Sequence, residues 1–575
     1  MKFLPKSLPD INDLSLQEQV AQMIVVRASG YLFDHQIQYP DWEPPKATLQ
    51  HWLQDLGVGG VILLGASAGE VLLRSQQLQD WAKIPLLIAA DIEEGVGQRF
   101  AGATWFPPPM AIGATAVEDL HKAQLYAEQM GAITAQEALA IGINWVLAPV
   151  VDVNNNPLNP VINVRAFGET PETVSQLASA FIRGAQRYPV LTTAKHFPGH
   201  GDTAVDSHLD LPVLPHSPPR LATVELPPFK SAIAAGVDAV MSAHLLIPAW
   251  DAQRPATLSH LVLTDLLRRD LGFEGLVVTD ALVMGAIANR YGSDEASVMA
   301  VEAGADILLM PPNPEQAIQA VCDAITKGRL SRERIQASVE RIWKAKGKVI
   351  PIAQVASHDL GERGEAFNPE SHHQNSTEIE NTSLHRNAQS LYELAQPASL
   401  NTVTKILQNS QKVGGSLPLQ PEPPNGTRQL RNVILVDDVL ACDFLGRNAP
   451  AVALPRQLGY ELQLVDRHTP SLEEASYPLA TQPTLLQLFI RGNPFRGSAG
   501  LPPVAKAWFK KLLKTDDLQA LVIYGSPYAL EQFLPELPPA TPYVFTYGQL
   551  PEAQAIALEV LFSERIPNTP FSFFL

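Results

Sequence analysis

The sequence predicts an α/β protein: a (β/α)8 barrel of the TIM type followed by a smaller α/β sandwich domain. Three observations lead there. Between residues 20 and 312, eight short aliphatic or β-branched runs alternate with longer helix-patterned segments. The runs do not alternate in polarity, so each reads as a strand buried on both faces, as in a parallel sheet covered by helices. A second, shorter series of strands and helices begins near residue 431, after a stretch without periodicity.

The eight runs are 22–27, 60–64, 85–90, 143–148, 190–194, 238–243, 275–279 and 306–310. The segments between them carry helical faces; that of 175–185 places Leu177, Phe181 and Ile182 together. In such barrels the reacting groups sit where strands end, on the C-terminal face. Asp91, Lys195, His196, His244 and Asp280 each fall one or two residues beyond the end of a run, so they converge on one mouth. The catalytic domain is accordingly placed at 1–350. Residues 351–430, with breakers at Gly361 and Gly364 and a Pro-rich 418–424, read as a linker or extended wrap. The second domain, 431–575, has strands at 433–436, 462–465, 485–490, 520–524 and 543–545, helices over 503–513 and 553–562, and no catalytic constellation.

A chain of 575 residues with 46% hydrophobic content can fill two cores, and its net charge of −17 argues against a nucleic-acid partner. No apolar run is long enough to span a bilayer, and the N-terminus lacks the continuous apolar core of a secretory signal. A cytoplasmic location without a membrane partner is the expectation. Cys322 and Cys442 lie too far apart in sequence to suggest a disulfide framework or a thiolate metal cluster. No cofactor is expected, and the pattern specifies no oligomeric state.

The densest chemistry lies in Lys195-His196-Phe197-Pro198-Gly199-His200-Gly201-Asp202-Thr203-Ala204-Val205-Asp206-Ser207-His208, directly after the fifth run. Ionisable groups crowded in this way shift one another's pKa, which proton transfer requires. Asp206 can hydrogen-bond the imidazole of His208 two residues on, fixing its tautomer, while Gly199 and Gly201 are expected to give the loop freedom. The alternative is an exposed loop histidine. A metal site built from these His and Asp side chains is disfavoured by the Lys195 ammonium and by the lack of a compact ligand spacing, so no metal is expected. No Gly-x-Ser-x-Gly elbow follows a barrel strand, which disfavours a serine nucleophile.

Asp280 closes the seventh run, Val277-Val278-Thr279-Asp280. It is either a helix N-cap or a functional carboxylate in the mouth. Asp91 and Arg99 follow the third run, and Arg165 lies in the loop region after the fourth. A carboxylate accepting from paired hydroxyls, with Arg and Lys donating beside it, suits a neutral polyol; taken singly, each of these residues could be a surface ion pair.

The stretch from Lys195 to His208 resembles the Lys-His-Phe-Pro-Gly-His-Gly-Asp-Thr…Asp-Ser-His signature of glycoside hydrolase family 3, in its β-N-acetylglucosaminidase branch. Asp91 with Glu93 and Gln98-Arg99-Phe100, the run from Ala148 to Asn154, Arg165 to Glu169, and Thr279-Asp280 with Leu282 and Met284 extend the resemblance over about residues 15 to 345. The second domain resembles the family's α/β sandwich domain more weakly. The resemblance implies an exo-acting, retaining β-N-acetylglucosaminidase that removes terminal GlcNAc from oligosaccharides or muropeptides of peptidoglycan recycling. Asp280 would be the nucleophile, and His208, assisted by Asp206, the general acid/base. Asp91, Arg99, Arg165, Lys195 and His196 would hold the sugar.

Two departures from the family pattern stand out: Glu93-Glu94-Gly95-Val96 in place of Glu-Gly-Gly-Arg, and Asp280-Ala281 in place of Asp-Asp. The first is expected to put an extra carboxylate, Glu94, near the sugar. Phosphorolysis instead of hydrolysis, a broader β-glycosidase, and a sugar-binding protein on a degenerate barrel are the competing readings.

Overall fold

The computed structural model describes residues 7–207, 209–350, 390–419, 429–442, 444–469, 482–491 and 503–562. The first sheet comprises β1 (Ile24–Ser29), β2 (Gly60–Leu64), β3 (Leu87–Ala90), β4 (Trp145–Val146), β5 (Leu191–Phe197), β6 (Ala239–Ser242), β7 (Leu276–Thr279) and β8 (Leu308–Leu309), in the order β7-β6-β5-β4-β3-β2-β1-β8. Every pairing is parallel. The ring closes where Val278 bridges Ile307 and the Thr279 N–H donates to the Ile307 carbonyl at 3.0 Å. The expected barrel is therefore present, and each strand overlaps its predicted run.

The strands form where predicted because their side chains are covered on both faces: β3, β4, β5, β6 and β7 are buried throughout. Helices supply the cover. Pro171–Ala185 starts at Thr170, whose hydroxyl accepts from the Thr173 N–H, and it buries Leu177, Phe181 and Ile182 as its periodicity predicts.

Strand β5 runs three residues beyond its apolar run. Its register against β6 passes from Lys195↔Met241 to Phe197↔Ser242, so His196 is an extra residue. Such a bulge re-aims side chains that simple alternation would send to opposite faces. Lys195 and His196 thus lie within the strand, one residue apart, and both are buried among polar partners.

The second sheet consists of β9 (Lys412–Gly414), β10 (Leu430–Leu435), β11 (Tyr460–Val465), β12 (Thr484–Ile490), β13 (Leu518–Gly525) and β14 (Tyr543–Thr546), in the order β11-β10-β12-β13-β14-β9. All pairs are parallel except β14 with β9. Helices Pro450–Gln457 and Pro551–Phe562 share a core with Ile434, Phe489, Val522 and Tyr524 on one face. On the other, Trp508 and Phe509 of helix Pro503–Lys514 join Leu486, Leu488 and Ile523 in a core continuous with that of the barrel.

Of the segment expected to be a linker or extended wrap, 351–430, residues 351–389 and 420–428 lie outside the described residues, while 390–419 carries regular structure. Helix Pro397–Ser410 buries Val403, Ile406 and Leu407 and packs on both helix Pro109–Glu118 of the barrel and helix Pro551–Phe562. Strand β9 then adds the antiparallel edge of the second sheet. Among the described residues, no helix is long and apolar enough to cross a membrane.

Candidate active site

Lys195 is fully buried, an expensive place for an ammonium unless it is paired. Its Nζ lies 2.7 Å from Asp91 Oδ1 and 2.6 Å from Glu93 Oε1. Glu93 in turn receives a two-point fork from Arg165, Nε at 2.8 Å and Nη2 at 2.7 Å. Two cations and two carboxylates therefore balance within one cluster that draws on the loops after β3 and β4 and on β5. Burial opposes ionisation of Glu93, yet the Arg165 and Lys195 charges hold its carboxyl well below the usual range. Burial likewise opposes the charges on Lys195 and Arg165; the carboxylates beside them win, and both remain cations. Asp91 is the member open to the mouth, its side chain 34% exposed. Arg99 is exposed and donates from Nε to the Asp91 carbonyl at 3.0 Å, bracing that residue through its backbone.

A second cluster centres on Asp152, which is fully buried. It accepts from the His196 backbone N–H, from His196 Nδ1 at 2.8 Å and from the His200 backbone N–H at 2.7 Å. This fixes the His196 ring with Nδ1 as donor. The His200 ring spans Thr203 Oγ1 at 2.8 Å and Ser207 Oγ at 3.0 Å. Burial pushes its pKa down to about 4, against the pull of Asp152, so it is a neutral brace between two hydroxyls. Asn159 Nδ2 donates to the His200 and Gly201 carbonyls.

Gly199 and Gly201 do not loosen this loop, contrary to expectation. Gly199 sits at φ +131°, and a Cβ on Gly201 would lie 1.7 Å from the Val153 carbonyl oxygen. They permit a left-handed turn and a close backbone approach. Asp206 and Ser207 are buried at the end of this held segment. His208 lies outside the described residues.

Neutral His200 makes stability pH-dependent. Its folded pKa is depressed from 6.5 to about 4, so its contribution is whole above pH 6.5 and is lost as pH falls toward 4. A chemical-denaturation series over that range should show a loss of about 3 kcal/mol from this residue, a component that His200→Gln removes.

Asp280 follows β7. Helix Gly285–Tyr291 begins five residues later behind Met284, so Asp280 is not its N-cap. Its Oδ1 accepts from the Ala281 N–H at 2.8 Å, and its own N–H donates to the Ser242 carbonyl at the end of β6. The carboxylate is half-buried and close enough to His200 to act on that ring's titration. His244, fully buried, bonds through Nε2 to the Ala281 carbonyl and through Nδ1 to Thr257, and so holds the turn that carries Asp280.

The extra carboxylate expected at Glu94 is already engaged. Glu94 is fully buried, accepts from Trp105 Nε1 at 3.1 Å and pairs with both terminal nitrogens of Arg491, just past β12. The second domain docks nearby as well. Tyr528 Oη donates to Glu169 at 2.6 Å and accepts from Asn154, and Ser526 bonds Asn163. Arg491→Ala strands a buried charge and should lower unfolding stability by about 3–5 kcal/mol, read from denaturant midpoints; Glu94→Gln in the same chain should recover part of it.

Glu93 and Asp152 are the site residues that sequence reasoning did not single out. Both occur in stretches that carry the resemblance, but their partners lie 72 and 44 positions away, and spacing alone does not reveal such pairs.

Residues 15–345 match the family model described as the glycosyl hydrolase family 3 N-terminal domain, and 424–563 match the bacterial glycosyl hydrolase family 3 C-terminal domain. A beta-hexosaminidase A from Pseudoalteromonas piscicida is 34% identical over 371 residues, covering 58% of this chain and 62% of the relative. A beta-hexosaminidase from Stenotrophomonas maltophilia strain R551-3 is 38% identical over 277 residues, 47% of this chain and 82% of that one. Among solved structures, a glycoside hydrolase family 3 beta-N-acetylglucosaminidase from Paenibacillus sp. str. FPU-7 superposes with a TM-score of 0.73 at 29% identity, covering 96% of this chain and 97% of that chain.

Proposed function

The chain belongs to glycoside hydrolase family 3, and from that premise we propose that it is a retaining, exo-acting β-N-acetylglucosaminidase. One observation carries the reading. Asp280, at the end of β7, shares a barrel mouth with a charge-balanced cluster whose half-exposed Asp91 can accept from sugar hydroxyls. In this proposal Asp91, Arg99, Arg165, Lys195 and His196 hold the terminal sugar, with Glu93 and Asp152 fixing the buried side chains among them.

Asp280 attacks the anomeric carbon, and the bond to the leaving oxygen breaks as His208, oriented by Asp206, delivers a proton. A covalent glycosyl-aspartate results. His208 then takes a proton from water as the water displaces Asp280, and the sugar leaves with its original anomeric configuration. Retaining enzymes ordinarily assign the acid/base step to a second carboxyl group. An imidazole with an ordinary pKa near 6.5 serves at neutral pH without the burial a carboxyl would need.

Muropeptide fragments are proposed as the physiological substrate, handled in the cytoplasm, where Cys322 and Cys442 would stay reduced. The test is product analysis with p-nitrophenyl β-N-acetylglucosaminide and then with muropeptides, in phosphate and in phosphate-free buffer. Free GlcNAc in both buffers supports hydrolysis. Sugar 1-phosphate would make the enzyme a phosphorylase, and binding without release would make it a sugar-binding protein.

A further inference from the structure

Resting on the glycosidase reading, we propose that the second domain sets the affinity for the terminal sugar through the barrel loops it holds, with Arg491, Ser526 and Tyr528 as positioning residues for the Glu93–Arg165 fork. Each side chain of that fork sits on a loop gripped by the second domain, and the two grips come from one edge of its sheet.

The first grip is on the loop after β3, where Glu93 and Glu94 are consecutive and serve different partners. Glu93 pairs with Arg165 and Lys195. Glu94 is met by both terminal nitrogens of Arg491, and Trp105 Nε1 reaches the same carboxylate at 3.1 Å. The Glu94 N–H donates to Gln98 Oε1 at 3.0 Å, and its carbonyl accepts from the Phe106 N–H at 2.8 Å. One planar peptide unit joins the two glutamates, so a displacement of Glu94 carries Glu93 with it. Glu94 stands where the family pattern has glycine, which offers no side chain for such a grip.

The second grip is on the loop after β4, from Asn154 to Glu169, which carries Arg165. Tyr528 ties the two ends of this loop together: its hydroxyl donates to Glu169 Oε1 at 2.6 Å and accepts from Asn154 Nδ2 at 2.8 Å. Ser526 holds a point between them, donating to Asn163 Oδ1 at 3.1 Å. Asn163, two residues before Arg165, has φ +45°, a left-handed conformation that asparagine tolerates better than most side chains. Asn154, Asn163, Ser526 and Tyr528 are all buried, so removing one partner leaves a polar group unsatisfied.

The two grips move as one body. Arg491 directly follows β12, and Ser526 and Tyr528 lie just past β13. These strands are paired as far as Ile490↔Gly525, and the Ser526 N–H then donates to the Ile490 carbonyl at 2.8 Å. What they bracket is a demanding contact, because a guanidinium meets a carboxylate at two points only in a narrow range of orientations. Arg165 Nε and Nη2 stand 2.8 Å and 2.7 Å from the two Glu93 oxygens. Releasing either loop lets the fork open and the groups around the sugar drift, and a misplacement of about 1 Å in such groups is costly.

The test uses the full chain and measures the dissociation constant of GlcNAc by titration calorimetry, beside KM and kcat on p-nitrophenyl β-N-acetylglucosaminide. A reduced folded fraction lowers the number of sites but not the affinity of each, so a merely structural role leaves the constant unchanged. Ser526→Ala combined with Tyr528→Phe should weaken GlcNAc binding about tenfold and raise KM alike, with kcat nearly kept. Arg491→Ala combined with Glu94→Gln, which removes the grip without stranding a charge, should weaken binding in the same direction. Arg491→Lys, which keeps a cation facing Glu94, should retain most of the affinity. Wild-type affinity in both combined variants overturns the inference and leaves the glycosidase reading standing. A wild type that binds GlcNAc without hydrolysing the substrate overturns the glycosidase reading, and the variants' affinities still decide the inference. A wild type that does neither overturns both.

Discussion

Asp280→Asn lowers kcat on p-nitrophenyl β-N-acetylglucosaminide by about 10⁴-fold or more, with the fold and sugar binding retained. The amide is nearly the same size as the carboxylate, and its oxygen can still accept from the Ala281 N–H. The turn stays anchored through Ser242 and His244. What the substitution removes is the charge and nucleophilicity of the oxygen proposed to attack. Steady-state kinetics, with a melting curve and a GlcNAc titration on the same preparation, separate loss of chemistry from loss of structure. A variant keeping more than about a hundredth of the wild-type rate would take the nucleophile role away from Asp280.

Glu93→Gln has the second largest effect. Glu93 is the shared partner of Arg165 and Lys195, so its replacement leaves two buried cations with only the Asp91 carboxylate among the cluster's acids. Breaking a buried pair in this way costs about 3–5 kcal/mol of stability. Binding suffers too, because Lys195 and Arg165 lose the group that orients them. The expected result is a fall in kcat/KM of about 10²–10³, carried mainly by KM. The sign with pH follows from the depressed carboxyl: Glu93's contribution is whole above its ordinary value of 4.5 and is lost only as pH falls through its much lower folded value. Between pH 5 and 8 the stability difference between wild type and variant should therefore stay flat. A kcat that collapses with KM unchanged would contradict the binding role.

The barrel was legible because its strands are continuous apolar runs separated by amphipathic helices, a pattern that follows from burial on both faces. The end of β5 was not. Lys195 and His196 read as lying just past the strand's end, since charged groups rarely enter a buried strand. They do so here because Asp91, Glu93 and Asp152, brought in from other strand ends, satisfy them. Helix Pro397–Ser410 was missed for a related reason. Its buried aliphatic side chains are only Val403, Ile406 and Leu407, set among Ser, Thr and Asn, and it is buried by two domains that the sequence does not bring together in any visible way.

In the candidate site, the ends of the runs led to Asp91, Lys195, His196 and Asp280, which stand just past β3, near the end of β5 and just past β7. The cap reading for Asp280 failed because the following helix starts too late. The pairing of Glu94 was not legible because its partner, Arg491, comes from the second domain. Gly199 and Gly201 were misread because glycine serves close packing as readily as flexibility, and only the positions of Glu225 and Val153 distinguish the two.

The central claim is a glycosyl-enzyme on Asp280, and acid-quench mass spectrometry during turnover of an activated β-N-acetylglucosaminide tests it most directly. The peptide containing Asp280 should gain the mass of one N-acetylhexosaminyl group in the wild type and none in Asp280→Asn, with β-GlcNAc as the first anomer released. Label on a different residue, or α-GlcNAc released first from an unlabelled enzyme, would contradict the account.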